Sequence, residues 1–374
     1  MTSVAVLIDQ LFSPTPGGMG TYIRELIPAL VRADPSLEVT LFHARFADAI
    51  GEPWTAGYPM ASLNAPIRTL YPGWALARRP ALPPSVVACD IVHSPVPAAV
   101  PPAAAGQRLV VTVHDIAFVV EPKYFPRQWR LMYRAGLARA VRSADAIITP
   151  SRHTAEDVLS RTKVDPAKLH VVPLAAAAPE REVEVADALG RLKVRAPYVL
   201  FVGTIEPRKN LVRLVRAYRR VAATGLPHAL VLAGPLGWQH EGLMRELALE
   251  GPGEIVMTGA LEPGDLDAVI RAADAFAYPS LYEGFGLPVL EAMTRGVPTV
   301  VSNTSSLPEV TGDAALGVNP RSIREIAAAI ETLCTDVALA ERLAAAGRLR
   351  AERFSWDETA RRTLEVYERA LDAK

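Results

Sequence analysis

The sequence is short of several things that would have narrowed its role at once. Its only cysteines are Cys89 and Cys334 in 374 residues. They are far apart and lack ligand-like spacing, which argues against a disulfide framework or a zinc site. Neither sign of charge is in excess, with 40 Lys plus Arg against 40 Asp plus Glu. A broad nucleic-acid surface would show as a basic surplus and is not supported. No apolar run approaches the roughly 18 residues of a membrane-spanning helix, and the most apolar loop, 96–106, is broken by Pro97, Pro101 and Pro102. The opening residues Met1 to Asp9 lack a basic segment and reach an acid too early for a signal peptide. A soluble, cytoplasmic protein is expected.

Half of the residues are apolar and 21% are charged, the profile of a globular chain. The length exceeds one ordinary core, so two domains are expected. Short apolar runs alternate with amphipathic stretches, the rhythm of βαβ units and parallel sheets. Strands are predicted at 4–9, 39–42, 91–94, 109–114, 146–150 and 170–173, then at 198–203, 229–233, 255–258, 275–279 and 299–302. Helices are predicted at 21–33, 126–142, 154–161, 211–223, 241–250, 263–272, 288–295, 323–334 and 337–352. A last helix at 356–371 has Ser355 as its N-cap.

An internal echo joins Ser143-Ala-Asp-Ala-Ile-Ile-Thr-Pro-Ser151 to Ala272-Ala-Asp-Ala-Phe-Ala-Tyr-Pro-Ser280. It favours a duplicated architecture over a commonplace helix-to-strand joint. The alanine run, Pro179 and the weakly patterned residues up to Arg195 read as a linker. The expected organisation is an N-terminal Rossmann-like domain over 1–180, a second over 195–355, and a C-terminal helix over 356–374 that returns to the first domain.

Four motifs carry chemistry. Gly17-Gly18-Met19-Gly20 stands after the first strand at the mouth of a helix, where glycine lets a ligand approach the backbone and free amides favour phosphate. A tight βα turn explains it equally well. Gly203-Thr-Ile-Glu-Pro-Arg208-Lys209-Asn210 places two cations at a strand's C-terminal end, the position for a diphosphate; the alternative is a solvated loop whose charges pair with Glu206. In Glu283-Gly-Phe-Gly-Leu-Pro-Val-Leu-Glu291, two carboxylates flank a glycine loop that enters a helix at Pro288. Amides of Phe285, Gly286 and Leu287 can there meet an anion, while the carboxylates accept from vicinal hydroxyls. His114-Asp115 ends another strand beside the expected cleft; a lone histidine is more often structural.

At these residues the sequence resembles the retaining glycosyltransferase family 4, including its mannosyltransferase-like members. The resemblance runs from Gly17-Gly18 to Phe354-Ser-Trp-Asp357. It implies the GT-B fold, an α/β architecture of two facing Rossmann-like domains with parallel sheets and a ligand cleft between them. It implies that Arg208 and Lys209 hold the donor diphosphate and that Glu283 binds the transferred sugar. Gly17, Gly18 and Gly203 approach the donor, Glu291 binds the ribose, and the amides of Phe285, Gly286 and Leu287 complete the phosphate cradle. His114 contacts the donor sugar, and Leu261 lies where the base is received. Thr204 stands where many relatives carry a third cation.

The implied reaction moves a hexose, GDP-mannose being the first choice of donor, to a hydroxyl of a glycan, lipid-linked or small-molecule acceptor. It proceeds with retention and needs no cofactor or metal. The alternatives are a non-catalytic nucleotide-sugar-binding subunit and a sugar-nucleotide epimerase on the same scaffold. No nucleic-acid partner is expected. Between Glu52 and Asp90 there is no acid, and Arg68, Arg78 and Arg79 alternate with Ile67, Leu70, Tyr71, Trp74 and Leu76. Residues 67–79 either lie peripherally against an anionic lipid surface or form a proline-rich loop packed on its own domain.

Overall fold

Runs such as Val4–Leu7 and Tyr198–Val202 bury every residue, as strands of a parallel sheet covered on both faces must. The computed structural model describes residues 1–46, 52–177 and 183–373. It divides into one unit of Met1–Leu174 with Ser355–Lys374 and a second of Ala175–Phe354.

The first unit holds β1 (Ser3–Leu7), β2 (Glu38–His43), β3 (Met60–Ser62), β4 (Ile91–Ser94), β5 (Arg108–Thr112), β6 (Ala146–Thr149) and β7 (Leu169–Val171). Their order is β3-β2-β1-β4-β5-β6-β7, and every pairing is parallel. The second unit holds β8 (Tyr198–Val202), β9 (Ala229–Ala233), β10 (Ile255–Gly259), β11 (Ala275–Tyr278), β12 (Thr299–Ser302) and β13 (Leu316–Val318). Their order is β10-β9-β8-β11-β12-β13, again all parallel. Both sheets are doubly wound, and the chain reverses direction between β1 and β4 and between β8 and β11. In such sheets the crevice at the reversal receives ligands.

Three expectations need correction. The first helix spans Gly17–Ala33, so Gly17-Gly18-Met19-Gly20 forms its first turn and does not precede it. The stretch read as a linker contains the helix Val185–Leu192, with Ala188 buried and Arg191 paired to Asp265 at 2.5 Å; residues 178–182, Pro179 among them, lie outside the described residues. The internal echo falls on strands that do not correspond: β11 neighbours β8 directly, whereas two strands separate β6 from β1. It records a reused helix-to-strand joint, although the two sheets do share their winding.

The C-terminal helix Trp356–Asp372 belongs to the first unit. Ser355 caps it by accepting from the Glu358 amide at 3.1 Å. Tyr367 then reaches His93 on β4, oxygen to Nδ1, at 2.7 Å.

The aromatic residues behind the lipid reading of 67–79 lie inside this unit. Leu70, Tyr71 and Trp74 are core residues. The Tyr71 hydroxyl donates to Asp9 at 2.9 Å, and the Trp74 indole donates to the Pro80 carbonyl at 3.0 Å. A face that packs inward offers nothing to a membrane.

Candidate functional site: a buried charge cluster

The cluster grows from two strand ends. β8 runs into Gly203, whose φ of 146° suits glycine, and the chain then turns through Pro207–Lys209. Asn210 fixes that turn. It adopts a left-handed conformation at φ 64°, and its side-chain amide donates to the carbonyls of Pro279 and Pro320 at 2.9 and 2.7 Å. β11, next in the sheet, delivers Tyr278 and then Glu283. The backbone clips the segments together, with the Leu281 amide donating to the Arg208 carbonyl at 2.8 Å.

Four charged side chains meet there. Arg208 donates to Glu283 Oε2 and to the Tyr282 carbonyl, both at 2.8 Å. It also grips Glu206 Oε1 through Nε at 3.0 Å and Nη2 at 2.6 Å. Lys209 donates to Glu283 Oε1 at 2.7 Å and to the Tyr278 hydroxyl at 2.6 Å. Glu206, Lys209 and Glu283 are buried. The pairing with Glu206 that would have marked a solvated loop is real, but it is shut away from solvent. Two cations face two carboxylates, so the cluster carries no formal net charge.

Burial works to raise the Glu283 carboxyl, but Arg208 and then Lys209 outweigh it and hold the group at about 2. Burial, followed by the charge of Arg208, lowers Lys209, against the pull of Glu283 and Glu206. The Glu206 Oε2 atom is buried without a partner. A buried acceptor left unpaired is costly, which makes it a feature of the site to be explained.

The glycine loop after Glu283 is clasped from the turn that follows β12. Ser306 donates to the carbonyls of Glu283 and Phe285, each at 2.9 Å, and Ser305 accepts from the Glu283 amide at 3.1 Å. Gly286 has φ 115°, and a Cβ there would lie 2.6 Å from Leu307 Cδ2. The helix Leu287–Thr294 begins at once. Among the described residues, the amides of Phe285, Gly286 and Leu287 have no hydrogen-bond acceptor. Glu291 stands in its second turn, half-buried.

Arg208, Lys209, Glu283, Gly203, Phe285, Gly286, Leu287 and Glu291 thus share the β8–β11 end of one sheet. Leu261 follows β10, the outer strand of that sheet. Gly17, Gly18 and His114 belong to the first unit. There Gly17 has φ 56°, and the ring of Tyr22, from the same helix, meets His114 edge-on at 4.8 Å. The Nε2 atom of His114 is buried and unpartnered, and burial lowers its pKa to about 4.

Reading the sequence alone missed Tyr278, Ser305, Ser306 and His93. His93 is fully buried and shares Thr112 with Tyr22, at 2.8 and 3.1 Å. Burial and then His114 lower its pKa to about 3. Its place inside an apolar strand was the available signal.

Two family models match the chain, Glycosyl transferases group 1 over residues 187–350 and Glycosyltransferase Family 4 over residues 16–176. The O-antigen chain mannosyltransferase B of Escherichia coli is 34% identical over 268 residues, 70% of each chain. The chain belongs to glycosyltransferase family 4. The serotype-specific mannosyltransferase WbdA of Escherichia coli is 33% identical over 281 residues, which are 71% of this chain but 34% of that protein. Among solved structures, a sucrose-phosphate synthase from Thermosynechococcus elongatus shares the fold, with a TM-score of 0.75, 23% identity and full coverage of both chains.

This glycosyltransferase also carries one Asp-x-Asp triplet, Asp265-Leu266-Asp267, the spacing by which other transferases hold a metal. Here both acids face arginines. Asp265 pairs with Arg191, and Asp267 pairs with Arg271 at 2.7 Å and Arg295 at 2.6 Å.

Proposed function

We propose that this glycosyltransferase transfers mannose from GDP-mannose, with retention and without a metal, to a hydroxyl of a glycan or lipid-linked acceptor. The observation that carries the reading is the pair Arg208 and Lys209, held side by side by Glu283 at the sheet's reversal point. Mannose is favoured because the two relatives above are mannosyltransferases by name.

An ammonium has three N–H bonds, and Tyr278 and Glu283 take two of those on Lys209. The third is left for an oxygen of the donor diphosphate. The bare amides of Phe285, Gly286 and Leu287 supply further donors at a helix N-terminus. Glu283 fixes both cations and retains lone pairs for a sugar hydroxyl, and Glu291 takes the ribose. The family resemblance assigns Gly17, Gly18, His114, Gly203 and Leu261 to the donor. His114 is neutral at physiological pH and acts as a hydrogen-bonding group.

In the reaction the C1–phosphate oxygen bond breaks and the acceptor oxygen bonds to C1 on the same face. The acceptor proton passes to the departing phosphate oxygen. Preorganised donors that meet the developing charge do the work; removing one such group typically costs about 3–4 kcal/mol of transition-state stabilisation. Incubation with GDP-mannose and EDTA, followed by NMR of the product's anomeric proton, tests the reading. An α-mannoside formed at an undiminished rate is expected. An inverted product, or activity abolished by EDTA and restored by a divalent cation, contradicts it.

A further inference from the structure

Arg350 has no part in the charge cluster, yet it reaches the glycine loop by two routes within the second unit. It stands half-buried in the last turn of the helix Val337–Ala351. Its Nε donates to the Val310 carbonyl at 2.8 Å and its Nη2 to the Glu309 carbonyl at 2.6 Å. Both carbonyls belong to the five-residue helix Leu307–Thr311. At the end of that helix Pro308 accepts from the Gly312 amide and Thr311 from the Ala314 amide. Arg350 therefore takes the two terminal carbonyls that remain. The other end of the same helix holds the loop. Ser306, just before it, donates to the Glu283 and Phe285 carbonyls, and Leu307 fills the space that a Cβ on Gly286 would need.

The second route runs through rings. The guanidinium carbon of Arg350 lies 5.4 Å from the centre of the Phe354 ring, and Phe354 meets the buried Phe285 edge-on, ring centres 5.7 Å apart. A guanidinium can serve both routes at once, because its N–H donors lie in its plane and its face stays free for a ring. The helix that carries Arg350 also backs the helix Leu287–Thr294. A Cβ on Gly347 would touch Met293 at 3.5 Å, and one on Gly296 would overlap the Arg348 guanidinium.

We propose that Arg350 and Phe354 are positioning residues for the donor diphosphate: they brace the loop Glu283–Leu287 so that the amides of Phe285, Gly286 and Leu287 hold one orientation. Both act through the loop. The proposal rests on the transfer reading and adds to it two residues from outside the charge cluster. Amides that must be ordered when an anion binds lose part of the binding free energy to that ordering, and amides already fixed do not. The diphosphate is charged before the reaction as well as during it. Loosening its amides therefore weakens ground state and transition state alike, which raises KM more than it lowers kcat. Loss of Lys209, which meets the developing charge, acts on kcat.

Two measurements on the full chain test it: equilibrium binding of GDP and of guanosine, and hydrogen exchange without nucleotide at the Glu283, Val289 and Leu290 amides. Those amides donate to Ser305 and to the Gly286 carbonyl, so they report the loop. In Arg350→Ala and Phe354→Ala they should exchange faster, GDP should bind about tenfold more weakly, and guanosine affinity should not change. Phe354→Ala keeps the test open should Arg350→Ala fail to fold. Arg350→Lys should resemble Arg350→Ala, since an ammonium keeps the charge at the helix end but cannot span two carbonyls and stack on a ring. Phe354→Tyr, which keeps the ring, should resemble wild type. Unchanged exchange in the alanine variants overturns the proposal whatever the donor is. Equal weakening of GDP and guanosine, the mark of a general loss of structure, overturns it too. Wild type that fails to bind GDP contradicts the choice of donor, and the exchange rates then decide the brace by themselves.

Discussion

Lys209 and Glu283 form a buried ion pair at 2.7 Å across 74 positions of sequence. The fold makes the pair by setting β11 beside β8, so the loops that leave those strands must meet. Each partner solves the other's desolvation, and Arg208 closes the set.

Breaking the pair and keeping it neutral should therefore differ. Lys209→Ala leaves Glu283 with Arg208 alone, and unfolding titrations should show a loss of roughly 3 kcal/mol, as expected when one partner of a buried pair is removed. Lys209→Met combined with Glu283→Gln should recover much of that stability. Turnover should stay two or more orders of magnitude below wild type in both. A double variant that regains turnover would separate the pair from catalysis.

Charge alone should not replace Arg208. Its guanidinium reaches Glu206, Glu283 and the Tyr282 carbonyl together, a fork that an ammonium cannot reproduce. Arg208→Lys should fold but lose at least about tenfold in kcat/KM, since a bond to a charged group contributes about 1.5–3 kcal/mol. Steady-state kinetics decides the matter.

The clasp on the glycine loop should matter for both stability and donor affinity. Ser306→Ala releases two carbonyls in a buried setting, which should cost about 1–3 kcal/mol. KM for the donor should rise with it. An unchanged KM would mean that the loop is held by other contacts.

Two histidines set the acid limb. His93 and His114 stay neutral when folded, at about 3 and about 4, but take up a proton near their ordinary value of about 6.5 once unfolded. The unfolded chain then binds more protons, so stability is full above about pH 6.5 and falls as pH drops below it. Glu283 adds a loss between its ordinary 4.5 and about 2. Asp9 runs the other way. Burial raises it to about 6, so its contribution is present below its ordinary 3.8 and is lost as pH rises through 6. Asp9→Asn should gain stability relative to wild type at pH 8 and lose part of that advantage at pH 5, as read from urea midpoints at the two values. The activity profile should show no histidine step between pH 5 and 8.

Much of the fold was legible because parallel strands buried on both faces are unbroken apolar runs. β4, β9 and β12 fall where the sequence places them. β3 and β13 were not legible. Each has three residues with mixed burial, and they form only because a neighbouring strand offers its edge. Within the site, Arg208, Lys209 and Glu283 could be named from their loops. Their mutual pairing could not, since it depends on strand order. Ser305 and Ser306 gave no signal, because serine in a turn is ordinary until the fold brings carbonyls to it.

The most direct test is the thermal shift produced by GDP-mannose in wild type and in the folded Lys209→Met, Glu283→Gln double variant. Stabilisation that grows with donor concentration in wild type and is lost in the variant is the predicted result. Equal stabilisation in both would place the donor elsewhere and contradict the account.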